Sequence, residues 1–238
     1  MIFYQIPPNL VTFIKNLNVA QRSLYDIRDG KSYTIRKLAD GNCWMTDDLN
    51  LDIGTYSAPK TVVASKNDKS TFSWTPTTCG TGGSGTCAFN GNTTYVTTTN
   101  RWYYNWGAAT AEMGTSSSVG DVDGSICPAG WKLPYNYTIS TTKSFGALTN
   151  TYGLTTNGAN NNSSSAAVAQ RFPLTFGITG AVISGGTLNY LNSYGYWHSS
   201  TAQTTSMAYN LLLGGYTWPQ DTTSGGKTSG YTVRCIAI

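Results

Sequence analysis

A chain of 238 residues, 39% hydrophobic and 13% aromatic with 16 Tyr and 7 Trp, has the apolar material to bury a core in one large domain or two small ones. Only 11% of its residues are charged, so solubility falls to Thr, Ser, Asn and Gly, a palette common in extracellular β-rich proteins. The net charge is +4 but the Lys and Arg are scattered, and no apolar run reaches the roughly 18 residues of a membrane span, which argues against nucleic-acid binding and membrane insertion.

Residues 1–24 read as an N-terminal extension. Leu10, Phe13, Ile14, Leu17 and Leu24 stand at near-helical spacing, which predicts a short amphipathic helix over 9–24. Pro7, Pro8 and the lack of a cationic start give the first ten residues no resemblance to an export leader. Residues 25–238 are expected to form one domain. It opens with YDIRDGKSYTIRKL, two strands joined by Asp29-Gly30, whose positive φ suits a type I′ hairpin. Tyr33, Ile35 and Lys37 alternate there with Thr34, Arg36 and Leu38. After the turn Asp40-Gly41-Asn42, Cys43-Trp44-Met45, Leu49 and Leu51 are predicted core.

Residues 54–100 change to Thr, Ser, Gly and Asn and read as a surface insertion with a few short strands. Within them Cys79 and Cys87 bracket a Gly-rich loop that a disulfide would close. A second bridge, Cys127 to Cys235, would tie mid-chain to the C-terminus and leave Cys43 odd; the alternative is five reduced thiols. No pair of cysteines has the close spacing of a zinc site. Bridges would fit an oxidising compartment, outside the cell or on its surface.

Residues 101–111 pass from aromatic to Ala-rich, a strand or turn entering a helix. Residues 143–172 hold a weak helical signal, interrupted by a low-complexity run at 157–165. Beyond 172 the signal is β: Leu174, Phe176 and Ile178, then 181–183, Tyr190, 194–197, 208–213, 216–218 and 231–236. Short strands so spaced, separated by Gly and Asn, predict a twisted antiparallel sheet with long loops.

Five ordered blocks, YDIRDGKSYTIRKL, CWMTDDLNL, YYNWGAATA, CPAGWKLP and GYTVRCI, resemble the Fibrobacter succinogenes major paralogous domain family. The resemblance covers roughly residues 25–51 and 101–238. It implies an α+β, C-type-lectin-like fold of the formylglycine-generating-enzyme type: twisted antiparallel sheets, two or so helices and long loops, with Trp44, Trp106 and Trp131 in the core. The C-terminal part is also similar to the variable proteins of diversity-generating retroelements, which use this fold to display a randomised ligand-binding face. In such proteins, error-prone copying at template adenines varies chosen codons. The segment 190–236 would then be the ligand-binding, hypervariable part, and the partner a protein on another cell or virus surface.

The candidate site rests on strand parity. If 208–218 is one unbroken strand, Tyr209, Leu211 and Leu213 face the core, while Asn210, Leu212, Tyr216 and Trp218 share the other face. Aromatics clustered on an outward face point to binding. A bulge at Gly214-Gly215 would instead reset parity and bury Trp218. Tyr194, Tyr196 and His198 would extend the same face, with Gln203, Thr204, Gln220, Asp221 and Thr222 as a loop rim. His198 is open to a second reading, a hydrogen-bonded or partly buried ring with no special role.

Enzyme chemistry lacks its parts. Formylglycine-generating enzymes use a pair of cysteines near the C-terminus, and here Cys235 alone follows Cys127. His198 is the only histidine, and no nucleophile elbow accompanies it. Asp26, Asp29, Asp47 and Asp48 sit where turns and caps use them, rather than as a glycosidase pair. Calcium-dependent sugar binding would need lectin loop motifs that are missing, and Asp121-Val122-Asp123-Gly124 is half a calcium loop. No metal and no cofactor are expected. The readings carried forward are a ligand-binding domain, a structural or adhesive surface module and, distantly, a hydrolase.

Overall fold

A computed structural model describes residues 22–55, 58–66, 70–74, 93–114, 117–136, 142–152, 173–183, 187–214 and 220–238. The first strands are β1 (Arg22–Asp26), β2 (Lys31–Lys37), β3 (Cys43–Met45), β4 (Gly54–Thr55), β5 (Ala58–Pro59), β6 (Val62–Lys66) and β7 (Ser70–Trp74). Next come β8 (Thr93–Val96), β9 (Arg101–Tyr104), helix α1 (Trp106–Ala109), β10 (Gly120–Asp121), β11 (Gly124–Ser125), β12 (Trp131–Lys132) and helix α2 (Phe145–Thr151). The last are β13 (Ala181–Ile183), β14 (Thr187–Asn189), β15 (Tyr194–Ala202), β16 (Met207–Gly214), β17 (Gln220–Gly226) and β18 (Ile236–Ala237). The strand ladders are antiparallel. The largest sheets run β1-β2-β3-β18-β12, β10-β15-β16-β17 and β11-β6-β7.

The five-stranded sheet is covered on both faces at its centre. Cys43, Met45, Cys235 and Ala237 enter one cluster with Tyr33, Ile35 and Trp131, whereas Trp44 and Ile236 enter another with Phe145, Phe176, Trp197, Leu211 and Leu213. Successive side chains of a strand point to opposite sides, so a strand with two dry faces needs an unbroken apolar run such as Cys-Trp-Met. Trp44, Trp106 and Trp131 are all buried, as the sequence blocks imply. Both short helices begin on an N-cap: Asn105 accepts from the Ala108 N–H, and Ser144 accepts from the Ala147 N–H at 3.0 Å.

Several expectations change. Arg22, Ser23 and Leu24 belong to β1 and not to a helix, so the paired domain starts before residue 25; the rest of the 9–24 segment lies outside the described residues. In the first hairpin Asp26 pairs with Lys31, so residues 27–30 form a longer loop than a type I′ turn allows. Only Gly30 in that loop has positive φ (73°). The Asp26 carboxylate, accepting from the Arg28 N–H and guanidinium, holds the loop instead. The 54–100 segment is more than a surface insertion: Val62, Ala64 and Trp74 pack into the main core through β6 and β7. Leu174 and Phe176 are buried, but 174–179 form no strand; the Arg234 guanidinium takes the Leu174 carbonyl at 2.7 Å.

Cys127 and Cys235 form a disulfide, and Cys43 is a buried thiol. Cys79 and Cys87 lie outside the described residues. Among the described residues no helix is long and apolar enough to cross a membrane. A buried ionic hub fastens the C-terminus to the first sheet. Asp48 Oδ1 accepts from Trp197 Nε1 and Arg234 Nη2, each at 2.8 Å, and Oδ2 pairs with Arg101.

Candidate functional site

β15 and β16 pair in register from Tyr194↔Gly214 through Tyr196↔Leu212 and Trp197↔Leu211 to His198↔Asn210. One face of this ribbon therefore carries Tyr194, Tyr196, His198, Asn210 and Leu212, and the other sends Trp197, Leu211 and Leu213 into the core. Parity thus sorts Leu211 and Leu213 from Leu212 as the sequence predicts. Tyr209, expected in the core, is half-buried. Opposite it, β15 shifts register between His198 and Ala202.

The outward face has a wet end and a roofed end. At the wet end Tyr194, Tyr196 and Leu212 are half-buried and Tyr190 is 50% exposed. The Tyr190 ring stands edge-on to Tyr194 with centroids 5.8 Å apart, and Tyr196 lies 6.3 Å from Tyr190 and 6.2 Å from Tyr194. Tyr190 and Asn192 have φ of 61° and 63°, and the Ser193 and Tyr194 N–H groups both donate to the Tyr190 carbonyl. A bulky residue held at positive φ is a strained feature that its surroundings must over-determine. Beneath, a Cβ on Gly195 would collide with the Gly177 carbonyl and the Trp197 ring. The tyrosines thus stand on a tightly packed base. Burial, and then the neighbouring tyrosines, push the Tyr196 hydroxyl up to about 12, so it stays a neutral phenol that can both donate and accept.

The roofed end corrects the expectation for two residues. His198 is 1% exposed and Asn210 2%, so neither reaches solvent. Tyr231 arrives beside β15 through the Tyr104↔Tyr231 and Trp197↔Thr232 bridges. Its ring stacks on Tyr196 at 4.9 Å and lies 4.8 Å from His198. Gly225 on β17 makes room for it, because a Cβ there would overlap the Tyr231 hydroxyl and ring. His198 Nε2 donates to the Tyr104 carbonyl at 2.8 Å, and Asn210 Oδ1 accepts from the Thr223 hydroxyl at 2.8 Å. Burial depresses the His198 pKa to about 4 despite that carbonyl. Of the two sequence readings of His198, the buried, hydrogen-bonded ring is the one found.

Gln203 and Thr204 do not rim this surface. They lie in the β15–β16 turn, where their N–H groups reach the Met207 carbonyl. That turn is at the far end of β15, on the order of 25 Å from Tyr194 at strand rise. Tyr216 and Trp218, and the side chains of Gln220, Asp221 and Thr222, lie outside the described residues, although β17 begins at Gln220. Sequence reading missed Tyr190 and Tyr231 as members of the array. Tyr190 stood in the same aromatic run, while Tyr231 is brought in by a long-range pairing with no local signal. Among the described residues no three His, Cys, Asp or Glu side chains form a group able to hold a metal ion.

No protein-family model, no curated protein and no solved structure matches this chain.

Proposed function

We propose that this chain is an extracellular or surface-displayed ligand-binding domain that recognises a protein through the wet end of the β15–β16 face. The observation that carries the reading is the array of Tyr190, Tyr194 and Tyr196, mutually in ring contact, water-accessible and mounted on a strained turn over a packed core. Tyrosine gives large contact area at low side-chain entropy cost with a hydroxyl for adaptable hydrogen bonding, which is why it is enriched in binding surfaces. An exposed cluster of tyrosines suits a protein surface, whereas a small molecule needs a concave site. The Cys127–Cys235 disulfide supports a location in an oxidising compartment.

The C-type-lectin-like fold, membership of the Fibrobacter succinogenes major paralogous domain family and retroelement diversification of 190–236 belong to the same proposal. What supports them is the order of the five sequence blocks and the meeting of CWMTDDLNL with GYTVRCI at the Asp48–Arg234 pair. Two experiments test the proposal. Flanking DNA would hold a reverse-transcriptase gene and a near-copy of codons 190–236 differing at adenines; finding neither removes the diversification. An array of bacterial and viral surface proteins, probed with wild type and with Tyr190→Ala/Tyr194→Ala, would show a partner whose affinity falls roughly 30-fold or more, the loss expected of a hot-spot side chain. Partners bound equally by both forms would refute the assignment of the face.

A further inference from the structure

Away from the tyrosine array, a cleft of about 500 Å³ opens where β2, the 46–50 loop, the start of β9 and the 174–175 turn meet. Its size lies within the roughly 300–1,000 Å³ of small-molecule sites. Its wall is unlike theirs in one respect: among the described residues it is lined by Thr, Asn, Asp and Arg alone, with no aliphatic or aromatic residue. An apolar ligand would gain nothing there, whereas hydroxyl and amide groups offer donors and acceptors to a hydroxylated one.

The charge balance selects the sign of the ligand. Arg36, Arg101 and Arg234 face two carboxylates, Asp47 and Asp48. Asp48 is already taken up by Arg101, Arg234 and the Trp197 indole, and Asp47 accepts from the Thr34 N–H at 2.6 Å. Arg101 is the group best placed to act. One of its nitrogens is held by the buried Asp48, its side chain is 37% exposed, and its Nε and Nη2 donate to no protein acceptor among the described residues. A guanidinium fixed on one side and open on the other is preorganised for an oxyanion. Two residues at positive φ also line the cleft, of which the β-branched Thr175 is the strained one. Asn100 has φ 53° and Thr175 φ 52°, and the β-branched Thr175 is tied down through its hydroxyl to the Thr46 carbonyl at 2.7 Å.

We infer that this cleft binds a small polyhydroxylated carboxylate, a sugar acid, with Arg101 taking the carboxylate and the Thr and Asn side chains taking the hydroxyls. The site is separate from the protein-binding face and does not depend on it. Glucuronate is the test ligand, with glucose and acetate as controls, titrated into the whole protein by calorimetry and by amide NMR. Saturable binding of glucuronate is expected, with shifts at Thr34, Thr99 and Asn100 and none at Tyr190 or Tyr194. Glucose and acetate should each bind about tenfold more weakly or worse, since each lacks one half of the contacts. Arg101→Gln should cost about tenfold or more in glucuronate affinity; if that variant does not fold, Arg36→Gln, which leaves Asp48 its partners, should weaken binding in the same direction. The inference is overturned by no saturable binding, by glucose binding as well as glucuronate, or by shifts confined to residues outside the cleft.

Discussion

His198 lies under Tyr231 with its Nε2 on the Tyr104 carbonyl, and that position couples its titration to folding. Burial lowers its pKa from 6.5 to about 4 in the folded chain. Below pH 6.5 the unfolded chain therefore takes up a proton that the folded chain refuses until about pH 4. Stability present above pH 6.5 declines as the pH falls through this window and levels off below it. At about 1.4 kcal/mol per pH unit the loss reaches on the order of 3 kcal/mol. Urea unfolding between pH 7 and pH 4.5 measures it. His198→Gln, which can still donate to the Tyr104 carbonyl, should remove most of that slope. An equal decline in both proteins would assign it to carboxylates instead.

At the scale of the element, the roof over the β15–β16 ribbon depends on the absence of a side chain at Gly225. Gly225→Ala should push the Tyr231 ring aside, since both its hydroxyl and its ring carbons stand in the way. The cost should be about 1–3 kcal/mol, as for other overpacked sites. With the roof displaced, His198 should titrate closer to 6.5 than to 4, which an NMR titration of its ring protons reads directly. A pKa unchanged in a folded variant would mean that Tyr231 is not what keeps His198 dry. The same contact explains what the sequence could and could not convey. Alternation along one strand is a local property, so the inward Leu211 and Leu213, the outward Leu212 and the Tyr33 and Ile35 face are legible, whereas Cys43-Trp44-Met45 reads only as core and not as a strand buried on both sides. Exposure is not local, because it depends on what arrives from elsewhere in the chain. Tyr231 is far from His198 in sequence, so parity puts Asn210 and His198 on the right face but cannot show that Asn210 is dry or decide between the two readings of His198. Loop length was likewise hidden, because an Asp-Gly pair fits a two-residue turn as well as the four-residue loop that Asp26 closes.

Across the whole molecule, the bond between Cys127 and Cys235 joins residues 108 apart in sequence. Cys127 lies just before β12 and Cys235 just before β18, the two strands that pair at the edge of the five-stranded sheet. The loop it closes includes α2 and the whole β15–β16–β17 ribbon, so it limits the freedom of the unfolded chain across nearly half its length. In the chain-entropy picture a loop of that size is stabilised by roughly 4–5 kcal/mol, with measured losses of native bridges at about 2–5 kcal/mol. Cys127→Ala/Cys235→Ala should therefore lower the urea-unfolding free energy by about that amount. The contacts around the bond give the fold other ties, the Trp131↔Ala237 and Lys132↔Ile236 pairs and the Asp48–Arg234 ion pair next to Cys235, and these should persist in the variant. The near-UV spectrum of the buried tryptophans should thus match wild type in dilute buffer at low temperature while the unfolding midpoint drops. A lost spectrum would make the bridge part of the native packing and not a restraint on the unfolded chain; an unmoved midpoint would mean that the bond does not form in the folded protein.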